Sequence, residues 1–365
     1  MNFLERIDKV KTILKEKGLD ALMVFTPADL YYLSGYYPHM PWYPEDLFRL
    51  TPVIIKAEGE PIHVTGIVST LRVQRIGAIK KIADYNEYTE NGIDFIGTLF
   101  EKEGLSQARI GFNQKRVVIQ TAEDLKARCP GIEWVPAADI IFEIRGVKDE
   151  EELRMIHQAC EINRAGLAAG KAAVKAGVAE KAVAAAAEHA MRIKGAERFT
   201  EETMVLSGER TLQTRERASD KLIEEGDCVI MDMGAIYEGY CSDMATTTFA
   251  GTPPPEIKEM FNAAHQLHRD TVDFVRVGMK AGEVDAFARE RCERMGIIQN
   301  AHLPHMVGHG MGLEFHEIPR IMPGSEDILQ PNMVFTIEPS IRVPGIGAIR
   351  LEEVYRLTDT GVVKA

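Results

Sequence analysis

The first half of the chain alternates short helical and strand patterns. Leu4, Ile7, Val10 and Leu14 recur at helical spacing until Gly18, after which Ala21-Leu22-Met23-Val24-Phe25 predicts a buried strand. Pro52-Val53-Ile54-Ile55 and Pro61-Ile62-His63-Val64 flank Glu58-Gly59-Glu60, a pattern that predicts a hairpin. Arg109-Ile110-Gly111-Phe112 predicts a further strand, followed by a helix ending near Arg128. This stretch, residues 1–147, is read as an α/β domain, and no catalytic constellation is visible in it. Tyr36-Tyr37-Pro38-His39-Met40-Pro41-Trp42-Tyr43-Pro44 stands out for three prolines among aromatics. It is either a rigid loop over its own core, or a wall over a pocket or subunit contact.

A second domain, residues 148–365, opens at Lys148-Asp149-Glu150-Glu151-Glu152. Asp149 can cap a helix there, and the glutamates suit its positive end. Two helical segments run to about Gly195, and strand-rich sequence follows. Another helix is expected after Pro253-Pro254-Pro255, with Ile257, Phe261, Ala264 and Val272 as its core stripe. A length of 365 residues fits two domains and a core that needs no disulfide to fold. The 43 basic against 55 acidic residues leave a net charge of −12. That sign argues against nucleic acid or an anionic membrane as the main partner, because phosphate binding needs a basic face. No signal peptide and no membrane-spanning apolar run are expected. Cys129, Cys160, Cys228, Cys241 and Cys292 are scattered without a CxxC pair, which predicts reduced thiols in a cytoplasmic protein.

The candidate chemistry lies in the second domain. A hairpin centred on Tyr237-Glu238-Gly239 would pair positions summing to 475, setting Asp232 opposite Asp243. Their Cβ atoms would then stand about 4.5–5.5 Å apart. Like charges so placed destabilise a hairpin unless something neutralises them, and a pair of divalent cations about 3.5–4 Å apart would do so. The alternative is a different register with one aspartate in solvent. Three of the ten histidines, His305, His309 and His316, then fall in one short stretch, with glycines around His309 that let the backbone approach a ligand closely. Glu338 ends the apolar run Met333-Val334-Phe335-Thr336-Ile337, just before Pro339. Gly347-Ala348-Ile349-Arg350-Leu351-Glu352 alternates, so Arg350 and Glu352 are expected on one face. Four carboxylates and an imidazole make a hard, oxygen-rich donor set suited to Mn, Co, Fe or Zn.

The order Asp232, Asp243, Gly308-His309-Gly310, Glu338-Pro339 and Arg350-x-Glu352 resembles the metal-binding set of the M24 metallopeptidase family. That family includes methionine aminopeptidase, Xaa-Pro aminopeptidase, prolidase and the metal-free creatinase. The spacings of 11 between the aspartates and 14 between the glutamates resemble the prolidase branch, as does Gly308-His309-Gly310-Met311-Gly312-Leu313-Glu314. Leu30-Tyr31-Tyr32-Leu33-Ser34-Gly35 and the sequence from Lys148 onward extend the likeness over most of the chain. The resemblance implies an α/β N-terminal domain of creatinase/prolidase type, an α+β "pita-bread" catalytic domain and a homodimer.

It further implies two divalent ions, Mn, Co, Zn or Fe. Asp243 and Glu352 would bridge them, Asp232 would chelate one, and His309 and Glu338 would bind the other. In the family scheme a metal-bridging hydroxide attacks a small peptide amide, Xaa-Pro above all, and Glu338 carries the proton to the leaving nitrogen. His305 and His316 match the family's substrate-contacting histidines, which stabilise the tetrahedral intermediate and the leaving side. Arg350 matches an arginine that supports the ligands, and Arg320 one near the substrate carboxylate.

One position departs from the pattern. Peptidase members carry a histidine 17 residues before the first aspartate, and here that position is Arg215. The run after Asp243 is Met244-Ala245-Thr246-Thr247, without the arginine usual three residues on. Arg215 either clamps a substrate carboxylate, alone or with Arg320, or pairs structurally with Glu216 or Glu202. The leading reading is thus a dinuclear hydrolase of Xaa-Pro or related small peptide amides. A non-peptidase amide hydrolase of a small metabolite, as in creatinase- or ectoine-hydrolase-like relatives, stands second. A non-catalytic M24-like binding module stands third, since such relatives usually lose ligands and this chain keeps five.

Overall fold

The helix Phe3–Lys17 forms where apolar spacing puts Ile7, Val10 and Leu14 on one buried side, and Gly18 closes it with a left-handed φ of 62°. Leu4, expected in that stripe, faces solvent instead at 60% exposure. Arg6 takes a buried place, donating to Tyr32 O at 3.2 Å with its guanidinium 4.2 Å from the Tyr32 ring centroid. The computed structural model describes residues 2–37, 50–213, 215–296, 303 and 305–365, and divides after Ile144 into two units.

The first unit is built on a six-stranded sheet in the order Lys81–Tyr85, Ile62–Gly66, Val53–Lys56, Ala21–Val24, Arg109–Phe112, Glu133–Pro136. The expected hairpin pairs Val53 with His63 and Ile54 with Ile62, antiparallel. Ala21–Val24 runs antiparallel to Val53–Lys56 and parallel to Arg109–Phe112, so the sheet is mixed. The helix Ile119–Arg128 ends where expected. Of the aromatic loop, Pro38–Pro44 lies outside the described residues. Tyr36 sets its ring edge-on to the buried His63, centroids 5.3 Å apart.

In the second unit, Asp149 and Glu152 close a reciprocal capping box at the start of helix Glu150–Ala173, and helix Glu180–Lys194 follows, ending at Gly195. Asn163 within the first of these donates to Met233 O at 2.7 Å, tying the helix to the sheet beneath it. Strand Cys228–Met233 is the centre of a three-stranded sheet, flanked by Met204–Ser207 and Met244–Phe249. A five-stranded sheet runs Glu317–Ile321, Gly308–Gly310, Val334–Ile337, Glu353–Thr358, Gly361–Lys364. Helix Pro255–Phe274 buries Ile257 and Ala264 as expected, together with Met260, Ala263, Leu267 and Thr271. Phe261 and Val272 are partly buried against the same core.

The hairpin turns on Glu238 and Gly239, both at positive φ, 47° and 80°, the signature of a two-residue type I′ turn. Its register pairs Ile236 with Cys241 and Asp232 with Ala245, so paired positions sum to 477 rather than 475. Asp232 and Asp243 are therefore not directly opposed. The shift is two residues, so both side chains stay on the same face.

A buried ion cluster fixes the start of strand Glu317–Ile321. Arg145, 2% exposed, donates to Glu317 and lies 3.1 Å from Glu314 Oε2, while the fully buried Lys148 reaches Glu317 Oε2 at 2.9 Å. Burial alone would raise the Glu317 carboxyl, but the two cations hold it at about 2, below its ordinary 4.5. A depressed carboxyl contributes stability that is fully present above its unfolded pKa and is lost as pH falls through the folded one. Glu317→Gln should cost about 3–5 kcal/mol at neutral pH, because it leaves buried cations short of their partner. The gap between wild type and variant, read by urea unfolding, should shrink as pH drops from 4.5 towards 2. A gap that stays constant over that range would assign the stability to packing instead.

Candidate active site

The five expected ligands converge. Asp232, Asp243, His309, Glu338 and Glu352 are each between 2% and 8% exposed. His309 Nε2 lies 3.4 Å from Asp243 Oδ2, 3.6 Å from Glu338 Oε1 and 4.0 Å from Glu352 Oε1. Each reaches the site from a different local device. Asp232 lies within a central strand, whereas Glu338 follows the last residue of strand Val334–Ile337. Arg350-Leu351-Glu352 is a break between strands Gly347–Ile349 and Glu353–Thr358, not the continuous strand that alternation suggested. The break is pinned by Glu352 N donating to Ala245 O at 2.9 Å and by Arg350 N donating to Thr247 Oγ1 at 3.0 Å.

The glycines beside His309 have a packing cause. A Cβ on Gly308 would strike Thr336 O, and one on Gly310 would strike Ile318 O, so the strand can lie between its neighbours only without side chains there. His309 is oriented from behind, with Nδ1 3.1 Å from Gly310 O. A carbonyl can only accept, so Nδ1 carries a hydrogen toward it and Nε2 is the nitrogen directed at the carboxylates. The ring also lies 4.1 Å, centroid to centroid, from that of His316.

Four carboxylates meet a single buried guanidinium. Arg350 donates to Asp232 Oδ2, and burial that would weaken its charge is overcome by Asp232, Glu338 and Glu352, which raise its pKa. That is not enough to balance the acids. Burial first, then Asp243 and Asp232, push Glu338 up to about 8; burial and neighbouring charges also push Asp243 and Glu352 well above the carboxylate range. Asp232 Oδ1, Asp243 Oδ1 and Glu352 Oε1 are buried with no hydrogen-bond partner among the described residues. Orphaned carboxylate oxygens in a cluster that also holds an imidazole nitrogen fit divalent cations, which would supply the missing partners and the missing charge. Two overlapping groups have ligand atoms within 4.8 Å of one another: Asp243, His309 and Glu352, and Glu201, Asp232 and Asp243. Asp243 is common to both.

The remaining expected residues divide. His305 is held at about 4 by burial and then by Arg350. Its Nδ1 lies 2.7 Å from Met306 O and its Nε2 3.5 Å from Arg350 Nη2, so it braces Arg350. His316 is also lowered to about 4, by burial, His309 and Arg215, and its ring makes no hydrogen bond among the described residues. Arg215 sits in left-handed backbone, φ 63°, close enough for its charge to act on both His316 and Glu201. Neither acid expected to pair with it does so among the described residues: Glu202 lies 2.5 Å from Arg217, and Glu216 makes no ion pair. Arg320 is committed to a neighbouring acid. It pairs across the strand from His309, but Nε and Nη2 donate to Asp327 at 3.0 and 2.9 Å and the side chain is 57% exposed.

Glu201 is the residue that sequence reasoning missed. Partial burial of its carboxyl, then Asp232 and Asp243, push it up to about 8, although the residue as a whole is exposed. No spacing rule points to it. Its place becomes legible once Met204 is known to pair with Asp232, which brings the preceding turn over the aspartates.

With this geometry in hand, likeness to known proteins becomes informative. Residues 154–359 match the model of metallopeptidase family M24, and residues 6–147 that of the creatinase/prolidase N-terminal domain. A Xaa-Pro dipeptidase of Pyrococcus furiosus is 30% identical over 361 residues, covering 98% of this chain and 96% of the relative. Among solved structures, a Xaa-Pro dipeptidase from Bacillus anthracis superposes with a TM-score of 0.90 at 26% identity, covering 100% of this chain and 97% of the other. The prolidase from Pyrococcus horikoshii gives 0.87 at 28%, covering 99% and 97%. The fold is accordingly an α/β creatinase-type domain followed by the α+β catalytic domain of prolidases. The chain belongs to metallopeptidase family M24.

Proposed function

We propose that the chain is a dinuclear metal-dependent dipeptidase that hydrolyses Xaa-Pro or closely related small peptide amides. The observation that carries this reading is the buried cluster of Asp232, Asp243 and Glu352, each with one carboxylate oxygen that has no hydrogen-bond partner among the described residues, and with Asp243 and Glu352 reaching within 4.0 Å of His309 Nε2. In this reading two divalent ions would be held by Asp243 and Glu352 between them, with Asp232 on one side and His309 and Glu338 on the other. Such ions, Mn, Co, Zn or Fe, lower the pKa of bound water and polarise a scissile carbonyl. Glu338 takes a proton from water at its carboxylate and returns it to the leaving nitrogen. His316, neutral at pH 7 and uncommitted among the described residues, donates a hydrogen bond to the oxygen that gains charge. Arg350, braced by His305, holds Asp232 aligned through its hydrogen bond to Oδ2. We further propose a homodimer in the cytoplasm; five buried, unpaired cysteines suit a reducing compartment.

Protein reconstituted with Mn or Co should bind about two ions per chain and hydrolyse a dipeptide such as Ala-Pro. His316→Ala should keep its metal and lose about 10²–10³-fold in kcat, whereas Glu338→Ala should lose turnover altogether. Elemental analysis beside the assay reads both. Wild-type protein that stays folded yet binds no ion in excess Mn or Co would end the dinuclear reading.

Arg215 sharpens the substrate. An arginine stays charged and offers a planar fork of donors, which suits a carboxylate. Its guanidinium makes no ion pair with Glu216 or Glu202, which supports the substrate role over the structural one. Arg215→Ala should raise KM at least about tenfold for dipeptides or N-acyl amino acids with a free carboxylate, as expected from losing a charged hydrogen bond. Their C-terminal amides should be little affected. Equal losses on both series, or a large fall in thermal stability, would return Arg215 to a structural role.

A further inference from the structure

The turn Glu201-Glu202-Thr203 is held at both ends to the strand that carries Asp232. Before it, Thr200 N donates to Gly234 O at 3.1 Å, and after it, Met204 pairs with Asp232 across the ladder. Gly234 makes the first tie achievable, since a Cβ there would collide with Thr200 Oγ1 and with Ser242 O. The turn therefore lies against the edge where Asp232 and Asp243 emerge. Glu201, Asp232 and Asp243 each bring a carboxylate oxygen within 4.8 Å of the other two. Asp232 and Asp243, at 4% and 2% exposure, each keep one buried oxygen with no hydrogen-bond partner. Glu201 itself makes no hydrogen bond or ion pair among the described residues, so nothing else explains its carboxylate being beside two others.

We propose that Glu201 is an additional protein ligand for the divalent cation on the Asp232 side of the site. This rests on the dinuclear reading above and adds a donor that the order Asp, Asp, His, Glu, Glu does not contain. Its consequence is asymmetry. On the Asp232 side the donors are Glu201, Asp232, Asp243 and Glu352, all oxygen, whereas the other side includes the His309 nitrogen. An all-carboxylate shell favours a hard cation such as Mn²⁺ over one that prefers nitrogen. The charge is tolerable there because two guanidiniums, Arg215 and Arg350, act on Glu201 from the same neighbourhood.

The experiment is a calorimetric titration of Mn²⁺ into the metal-free full-length chain, comparing wild type, Glu201→Gln and Glu201→Asp. Glu201→Gln should weaken one of the two Mn²⁺ affinities by at least about tenfold and leave the other unchanged, by the scale on which lost support around a metal acts. Glu201→Asp should restore part of it. Thermal unfolding without metal should be no lower in the Gln variant than in wild type, since the change removes a carboxyl that Asp232 and Asp243 repel. Two unchanged affinities in the Gln variant would overturn the ligand role, even if KM for peptides rose. Wild type that binds no Mn²⁺ would overturn the dinuclear reading itself, so the two failures are distinct.

Discussion

Buried negative charge without a matching positive charge is the constraint on which the second unit is organised. Taking one ionised carboxylate out of water costs several kcal/mol unless it is paired and hydrogen-bonded. Here four converge on the buried guanidinium of Arg350, and three of their oxygens have no donor among the described residues. Protons can relieve this, and the raised positions of Glu338, Asp243 and Glu352 describe that relief. Cations relieve it better, because each satisfies several lone pairs at once. The surrounding fold makes the cluster tolerable without collapsing it. Its ligands are set at places where backbone needs are already met: a central strand, the end of a strand, and a break between strands pinned by Ala245 O and Thr247 Oγ1.

How much of this was legible in the sequence depended on how local the cause was. Strands and helices in the first unit followed from periodicity, as the hairpin Val53–Lys56 with Ile62–Gly66 illustrates. Leu4 failed because an apolar residue in the first turn of a helix can face water, and the fold buried Arg6 instead under the Tyr32 ring. The opposed aspartates failed by a register of two, since the turn uses Glu238 and Gly239 as its central pair, one residue further along the chain than a sum of 475 requires. The common face survived because side chains alternate with period two. In the same way, Arg350 and Glu352 reach one site although their strand is broken between them. The glycines around His309 were read as room for a ligand, whereas the crowding they relieve is from Thr336 O and Ile318 O.

What sequence could not reach was long-range pairing of charge. Arg145, Lys148 and Glu317 lie some 170 positions apart and carry no mutual pattern, yet they fix the strand that begins one residue after His316. Glu201 was invisible for a related reason: its relation to Asp232 exists only through a strand register. Arg320 shows a different limit. A residue can occupy a family's position and still spend its donors elsewhere, here on Asp327.

Arg215 draws these threads together, because its placement is itself imposed by a buried acid. Glu180, fully buried, accepts hydrogen bonds from Ser207 N and Oγ, from Ser219 N and Oγ, and from Arg210 Nε. Those donors lie on both sides of Arg215, so one carboxylate ties down each end of the segment that carries it. A segment closed in this way can hold a non-glycine residue at φ 63°, a conformation that disfavours most side chains and persists where surroundings over-determine it. The same closure sets the guanidinium where it acts on His316 and Glu201 together. A histidine at this position would bring a group that can lose its charge. An arginine brings one that cannot, and a permanent positive charge beside metal cations persists only where permanent negative charge answers it. In this chain the Arg215 charge acts on the Glu201 carboxyl, so the departure at Arg215 and the extra carboxylate belong to one electrostatic arrangement rather than two.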